Sequence, residues 1–243
     1  MRFASVLFPS REFVTVAANF PATYCFSHFQ ERGEFFLSFV AYENGRRFGE
    51  LHSSKITELE NFQIELSDLL RHFPAGKSGL ITLEYTHPDK IPVSMYLSSV
   101  HKQSGIYISI PALPYMGDQL NPQFHEEMLE STLFWPGVSS SEATEPVMLV
   151  LNPYDQVFSY QLSLFLADGT RIVSDVFKIR PNCSSYHEID QVFAAQREAF
   201  SIDGAGATVC ISAQFKVLAY GYMRDRSSGA PIMIDHLHQY RFF

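Results

Sequence analysis

The sequence predicts an all-β protein: two tandem immunoglobulin-like antiparallel β-sandwich domains related by an internal repeat, each with one short helix. Three observations predict it. Phe36-Leu37-Ser38-Phe39-Val40, continuing through Asn44-Gly45 to Arg47, returns as Gln161-Leu162-Ser163-Leu164-Phe165, continuing through Asp168-Gly169 to Arg171. Such self-similarity constrains a whole fold before any single residue is weighed. Aromatic residues make up 14% of the 243-residue chain, led by 22 Phe, and suit the half-buried pleated surface of a sheet. The apolar runs are short and end at Gly, Pro, Asn or Asp, without the regular intervening helices a parallel sheet requires.

Each element follows from its local pattern. Phe3 to Phe8 and Phe13 to Ala18 are apolar stretches broken by Pro9-Ser10-Arg11, expected as edge strands or a strap on the first domain. Tyr24 to Phe29 reads as a strand, and Phe35 to Tyr42 as a nearly continuous one. Asn44-Gly45 then gives a strong hairpin signal, because both central positions of a type I′ turn need positive φ. Arg46 to Lys55 is the return strand. Phe62, Ile64 and Leu66 alternate with polar residues, which is strand periodicity. Ser67-Asp68 opens a helical turn that Pro74 and Gly76 end. Leu80 to Tyr85, Val93 to Leu97 and Ile106 to Ile110 complete the unit.

The second unit repeats that order. Met148 to Asn152, Tyr160 to Leu166 and Arg171 to Ile179 read as strands. Tyr186 to Phe200 is the strand-to-helix segment, with the helix over 191–197. Ala207 to Ser212, Val217 to Met223 and Ile232 to Tyr240 close it. Between the units, five prolines from Pro111 to Pro146 and the run Ser139-Ser140-Ser141 give linker composition, with a short acidic helix over 123–129. The expected boundaries are 1–116 for the first sandwich, 117–145 for linker and loop, and 146–243 for the second, with Trp135 packing onto the latter.

Bulk properties exclude several classes. Hydrophobic content of 46% against 18% charged residues fits a globular protein. A net charge of −8 with no basic run speaks against nucleic-acid partners. Cys25, Cys183 and Cys210 form no CxxC pair and are expected reduced and buried. No apolar run reaches the ~20 residues of a membrane span, and Pro9 with Arg11 and Glu12 interrupts any signal-peptide core. The expectation is a cytoplasmic protein without membrane insertion. There is no P-loop, dinucleotide fingerprint, nucleophile elbow or HExxH, and no cofactor is expected. Gly204-Ala205-Gly206 precedes a strand rather than a helix, so it reads as a loop and not as a phosphate cradle.

Candidate functional residues lie in the second half. Along one strand, Ile232, Ile234, His236, His238 and Tyr240 would share a face, apolar inside and polar at the far end. Two imidazoles two residues apart suit a polar ligand at a sheet rim, or a shared metal if a third ligand joins them. Aligning Gly105 with Gly229 sets Ala112 and Pro114 against His236 and His238, so the imidazoles belong to one copy only. Trp135, the chain's single tryptophan, sits in loop-like sequence where it could stack on a ligand or plug the end of a sandwich. Tyr220, Tyr222, Arg224, Asp225 and Arg226 lead into a hairpin loop that could hold an anion or a partner, or simply face water. Glu126, Glu127 and Glu130 read as a solvated helix face.

Trp135, then Leu149-Val150-Leu151-Asn152-Pro153-Tyr154-Asp155, Leu162 to Gly169, and Ala230-Pro231-Ile232-Met233-Ile234 followed by polar residues, resemble the small β-sandwich family that includes the soluble transducer of a cyanobacterial sensory rhodopsin. The resemblance covers roughly residues 132–240 and, through the repeat, 24–115 more faintly. It implies an immunoglobulin-like fold, homo-oligomer formation, and binding of small molecules or protein partners rather than catalysis. Trp135 and Asn152 match the family pattern, and His236 and His238 occupy its polar stretch.

The expected function is therefore a non-catalytic small-molecule- or protein-binding tandem sandwich, a signalling or transducer-like accessory, with Trp135, Asn152, His236, His238 and Tyr240 touching the ligand. Two alternatives stand beside it: a metal-dependent β-sandwich enzyme using His236 and His238, and a structural subunit of a larger assembly.

Overall fold

The computed structural model describes residues 2–7, 13–20, 36–52, 62–71, 79–86, 96–115, 131–201, 206–213 and 217–239. The chain divides into two compact units, Met1–Gly117 and Asp118–Phe243. Both are all-β and antiparallel throughout their strand pairings.

In the first unit the strands are β1 (Arg2–Leu7), β2 (Phe13–Phe20), β3 (Phe36–Glu43), β4 (Arg46–His52) and β5 (Phe62–Glu65). The helical turn α1 (Ser67–Leu70) follows, then β6 (Gly79–Thr86), β7 (Tyr96–His101), β8 (Tyr107–Pro111) and β9 (Leu113–Tyr115). One sheet has the order β4-β3-β6-β1-β9 and the other β5-β2-β7-β8. The two N-terminal apolar stretches are thus interior strands of two different sheets, not edges or a strap. The break at Pro9-Ser10-Arg11 separates them, and each finds two neighbours. Asn44 and Gly45 take φ of 49° and 78°, the left-handed pair that the β3–β4 hairpin needs. Leu69 of α1 packs on Gly49 of β4, while α1 also touches β2, so the short helix joins the two sheets.

The second unit contains β10 (Ser131–Val138), β11 (Thr144–Asn152), β12 (Phe158–Phe165), β13 (Arg171–Val173), β14 (Phe177–Ile179) and β15 (Cys183–Glu188). The turn α2 (Ile189–Val192) runs into a 3-10 segment, Ala194–Phe200, where the sequence predicts a helix over 191–197. Then come β16 (Ala207–Ala213), β17 (Leu218–Asp225), β18 (Pro231–His236) and β19 (His238–Gln239). One sheet runs β13-β12-β16-β10-β19, with β14 also on β12, and the other β15-β11-β17-β18. Reading β10 for β1, β11 for β2 and so on, with β13 and β14 together in place of β4 and β15 in place of β5, these are the strand orders of the first unit.

Two further expectations need correction. The linker assigned to 117–145 contains β10, a strand hydrogen-bonded between β16 and β19. Pro136 and Gly137 suggest a loop because they break the alternation, and the structure absorbs them as a register shift between Trp135 and Val138. The strand predicted from Ile232 to Tyr240 is broken at Leu237. Its buried side chain and its amide bond to the Ala219 carbonyl mark the point where the chain passes from one sheet to the other. The strand over 24–29, the helix over 123–129, Cys25 and the segment 202–205 lie outside the described residues.

The hairpin loops of the two units are built alike. In β7–β8, the Gly105 amide bonds the His101 carbonyl, and the His101 amide bonds the Ile106 carbonyl. In β17–β18, Gly229 bonds Asp225 and Asp225 bonds Ala230 in the same way. The acceptor that orders the loop is His101 Nδ1 in one unit, 3.2 Å from the Ser104 amide, and Asp225 Oδ1 in the other, 2.8 Å from the Ser228 amide.

Val147 to Leu151 of β11, a fully apolar run, are all buried, as expected for a strand interior to a sheet with covered faces. Tyr160, Tyr220, Tyr222, Phe158 and Phe200 fill the space around them. Each aromatic buries on the order of 150–250 Å² and contributes heavily to burial energy.

Candidate functional site

Of the predicted ligand residues, Trp135 and Asn152 are buried. Trp135 is only 3% exposed, on β10, and its indole lies across Gly221 of β17 in the opposite sheet. A β-carbon at Gly221 would sit 2.5 Å from Trp135 Cδ2, so glycine is what lets the two sheets close over the ring. Asn152, at the end of β11, is completely buried. Its Nδ2 donates to the carbonyls of Gln156 (2.8 Å), Ile179 (3.1 Å) and Arg180 (3.0 Å), and its Oδ1 accepts the Tyr154 amide at 3.0 Å. Both side chains are sealed into the unit, so the ligand contacts expected of them are replaced by contacts with the fold. Trp135 plugs the sandwich and Asn152 staples a turn.

His236 and His238 do not share a strand. His236 stands opposite Tyr220 on β18, and His238 stands opposite Phe134 on β19, in the other sheet. The alternation that would place both on one face fails because the chain changes sheet between them. Tyr240 lies outside the described residues. Among the described residues no group of three or more His, Cys, Asp and Glu gathers as a metal site would need.

What the structure does assemble is an ion network at the Thr144 end of β11. Arg224 Nε donates to Glu145 Oε1 at 2.6 Å, its Nη2 to Glu188 Oε1 at 2.8 Å, and its Nη1 to the Tyr186 hydroxyl. Arg226 Nη1 donates to Glu145 Oε2 at 2.8 Å, its Nε to the Ser141 carbonyl at 3.0 Å, and its Nη2 to Asp190 Oδ2. Ser140 Oγ donates to the same Asp190 oxygen at 2.8 Å, and Arg197 Nε lies 3.6 Å away. Three guanidiniums thus face three carboxylates, Glu145, Glu188 and Asp190, and the charges cancel within the cluster. Asp190 Oδ1 is buried and unbonded. The Arg-Asp-Arg loop predicted to reach for an anion or face water instead turns both guanidiniums inward onto carboxylates far away in sequence, which no local pattern reveals.

The first unit lacks the central pair of this network. Its registers Phe13↔His101 and Val14↔Val100 correspond to Thr144↔Asp225 and Glu145↔Arg224. A valine pair occupies the register positions that carry carboxylate and guanidinium in the second unit.

A second cluster, also missed from sequence, lies between the sheets. His187 of β15 is 8% exposed. Its Nε2 lies 2.5 Å from the Tyr160 hydroxyl and 3.1 Å from Ser185 Oγ, and its ring lies 4.4 Å from that of Phe177 on β14. Burial pulls the imidazole down to about 4 and pushes the Tyr160 phenol up to about 12. The imidazole therefore stays neutral at ordinary pH, hydrogen-bonded to the hydroxyls beside it. This is an internal strut, with its reactive nitrogen already engaged.

The outward-facing apolar feature of this unit is β18, the end strand of its sheet. The register shifts between Met223 and Arg224, leaving Ile232 as an extra residue with no opposite number. Ile232 is 60% and Met233 52% exposed, side by side on a strand whose outer edge has no partner among the described residues. Edge strands with apolar side chains and open backbone groups invite pairing.

No protein-family model matches the chain, and no curated protein matches it. Among solved structures, a calcium-binding mutant of Bacteroides uniformis beta-glucuronidase 2 is 9% identical, covering 97% of this chain and 32% of that one, with a TM-score of 0.17. A Bacteroides uniformis beta-glucuronidase is 12% identical, covering 99% of this chain and 26% of that one, also with a TM-score of 0.17. The chain thus spans a third or less of those proteins, and likeness at this level carries no argument about fold or activity. No helix among the described residues is long and apolar enough to cross a membrane.

Proposed function

We propose that this chain is a non-catalytic binding protein made of two copies of one duplicated sandwich module, the second of which carries the contact surface. In this reading it works in the cytoplasm as an oligomer or an accessory to another protein, in the manner of the transducer-like sandwiches it resembles. The observation that carries the reading is the outer edge of β18, where Ile232 and Met233 stand exposed on a strand edge that has no partner among the described residues. Two further observations support it. The titratable side chains gathered in the second unit are engaged with one another, as in the Arg224–Glu145 and Tyr160–His187 contacts. Extended partners add to such edges through main-chain hydrogen bonds, with side-chain pockets giving specificity.

The test is native mass spectrometry and light scattering on wild type and on an Ile232→Lys, Met233→Lys variant. The wild type is expected to carry an extra mass, whether small molecule, second polypeptide or second copy. The variant is expected to lose it with an unchanged melting temperature, because both positions face water. A wild-type chain that elutes as a bare monomer at tens of micromolar would overturn the reading, as would an equal bound mass in the variant.

A further inference from the structure

The two units differ in how their matching Asx-Gly turns are held. Of the six asparagines in the chain, Asn44 is the one followed by glycine; Asn121 and Asn152 precede proline, Asn19 and Asn61 phenylalanine, and Asn182 cysteine. Asn44 is exposed at the tip of the β3–β4 hairpin. Among the described residues neither its side-chain amide nor the Gly45 backbone N–H has a hydrogen-bond partner. At the matching turn of the second unit both groups are engaged. The Gly169 amide donates to the Leu166 carbonyl at 3.0 Å, and Asp168 Oδ1 accepts the Thr170 amide at 2.8 Å, which holds that carboxyl below the usual carboxylate range. Glycine at position 45 puts no side chain in the path of a close approach. β4 is the end strand of its sheet, and its pairing with β3 already shifts register between Ala41 and Tyr42, close to the turn.

We propose that Asn44-Gly45 is a self-modification site, where the folded chain converts asparagine to aspartate and isoaspartate without an enzyme. As Asn44 rotates out of the turn, the Gly45 nitrogen gives its proton to a base in the solvent and bonds to Asn44 Cγ. The bond from Cγ to the side-chain nitrogen breaks, and that nitrogen leaves as ammonia. Water then opens the resulting succinimide ring. Attack at Cγ restores the main chain and leaves aspartate, whereas attack at the Asn44 backbone carbonyl leaves isoaspartate, with the main chain routed through the side chain. One water enters the ring, one ammonia leaves, and nothing is oxidised or reduced. The two products differ in their effect on the fold. Asp-Gly suits the same tight turn, but isoaspartate adds a methylene to a loop whose length fixes the Glu43↔Arg46 register. Asp168 has no side-chain ammonia to lose, so this change marks the first unit alone.

The test is peptide mapping by mass spectrometry on the full chain, held in native buffer at neutral and at mildly alkaline pH. The peptide carrying Asn44 is expected to gain one mass unit with time, at a rate that rises in proportion to hydroxide, because the attacking nitrogen must lose its proton. Electron-transfer fragmentation is expected to find isoaspartate at position 44, while peptides carrying Asn152, Asn182 and Asp168 stay unchanged. Asn44→Gln is expected to abolish the gain, since the longer side chain cannot close the same ring, and Asn44→Asp, which keeps the turn chemistry, serves if the Gln variant does not fold. An Asn44 peptide that stays unmodified in the folded chain yet gains the mass in urea would overturn the proposal, because the turn would then protect the site. Isoaspartate forming at Asp168 as fast as at Asn44, or a mass gain that persists in either variant, would overturn it as well.

Discussion

Replacing Gly221 by alanine tests whether Trp135 is core or contact surface. In an ordinary strand the change would help slightly, since glycine costs about 0.5–1 kcal/mol relative to alanine. Here the added methyl would lie 2.5, 2.6 and 2.8 Å from Cδ2, Cε2 and Cε3 of the indole. Comfortable carbon contacts are about 3.5–4.0 Å, so the ring must retreat by roughly 1 Å. It has little room, because β10 is held on both sides, by β16 and β19. Overpacking of this kind costs about 1–3 kcal/mol, and a flat ring struck on its face belongs near the upper end. For a unit of this size that corresponds to a fall in melting temperature of about 10 °C.

The assay is thermal and urea unfolding followed by the chain's single tryptophan, repeated in a Trp135→Leu background with circular dichroism as the probe. Without the ring, Gly221→Ala is expected to cost under about 0.5 kcal/mol, so the cycle yields a coupling of about 2 kcal/mol or more. Additive costs in the two backgrounds, or no cost beside the intact tryptophan, would refute the packing argument and return Trp135 to the list of contact residues.

Two further predictions concern the polar groups. Asn152→Ala leaves three carbonyls and one amide, the Ile179 carbonyl and the Tyr154 amide among them buried, without their partner and is expected to cost about 2–4 kcal/mol in urea unfolding; binding of any ligand by the folded variant should be unchanged. Glu145→Val alone removes the carboxylate shared by Arg224 and Arg226, leaving three guanidiniums on Glu188 and Asp190, and is expected to cost about 3 kcal/mol, whereas Glu145→Val with Arg224→Val, which copies the Val14↔Val100 register of the first unit, is expected to recover at least half of that. A double variant no more stable than Glu145→Val would mean that the network acts through Arg226 and Asp190 rather than through the central pair.

The fold was readable because its signals are local. Asn44-Gly45 and Gly169 mark hairpins through backbone conformations few other residues adopt, and the buried run of β11 announces itself by composition. Misreadings arose where tertiary pairing overrides local pattern. Pro136-Gly137 signals a loop, yet β10 continues past it with a register shift. His236 and His238 alternate perfectly in sequence, but alternation cannot report that a strand ends between them at Leu237. Asn152 is buried and bonded to four backbone groups, and a buried amide serving the backbone and an amide serving a ligand look the same in one dimension. Glu145, Glu188, Asp190 and His187 were invisible for a related reason: each gains its meaning from a partner 27 to 81 residues away.

The matching strand orders set a problem for a growing chain, since β2 is the counterpart of β11 as a neighbour for β17. Pairing β2 there would leave Val14 opposite Arg224 and strip the guanidinium of Glu145. The carboxylate–guanidinium register acts as a key cut for one lock, so that two look-alike modules on a single ribosomal product each close on their own strands.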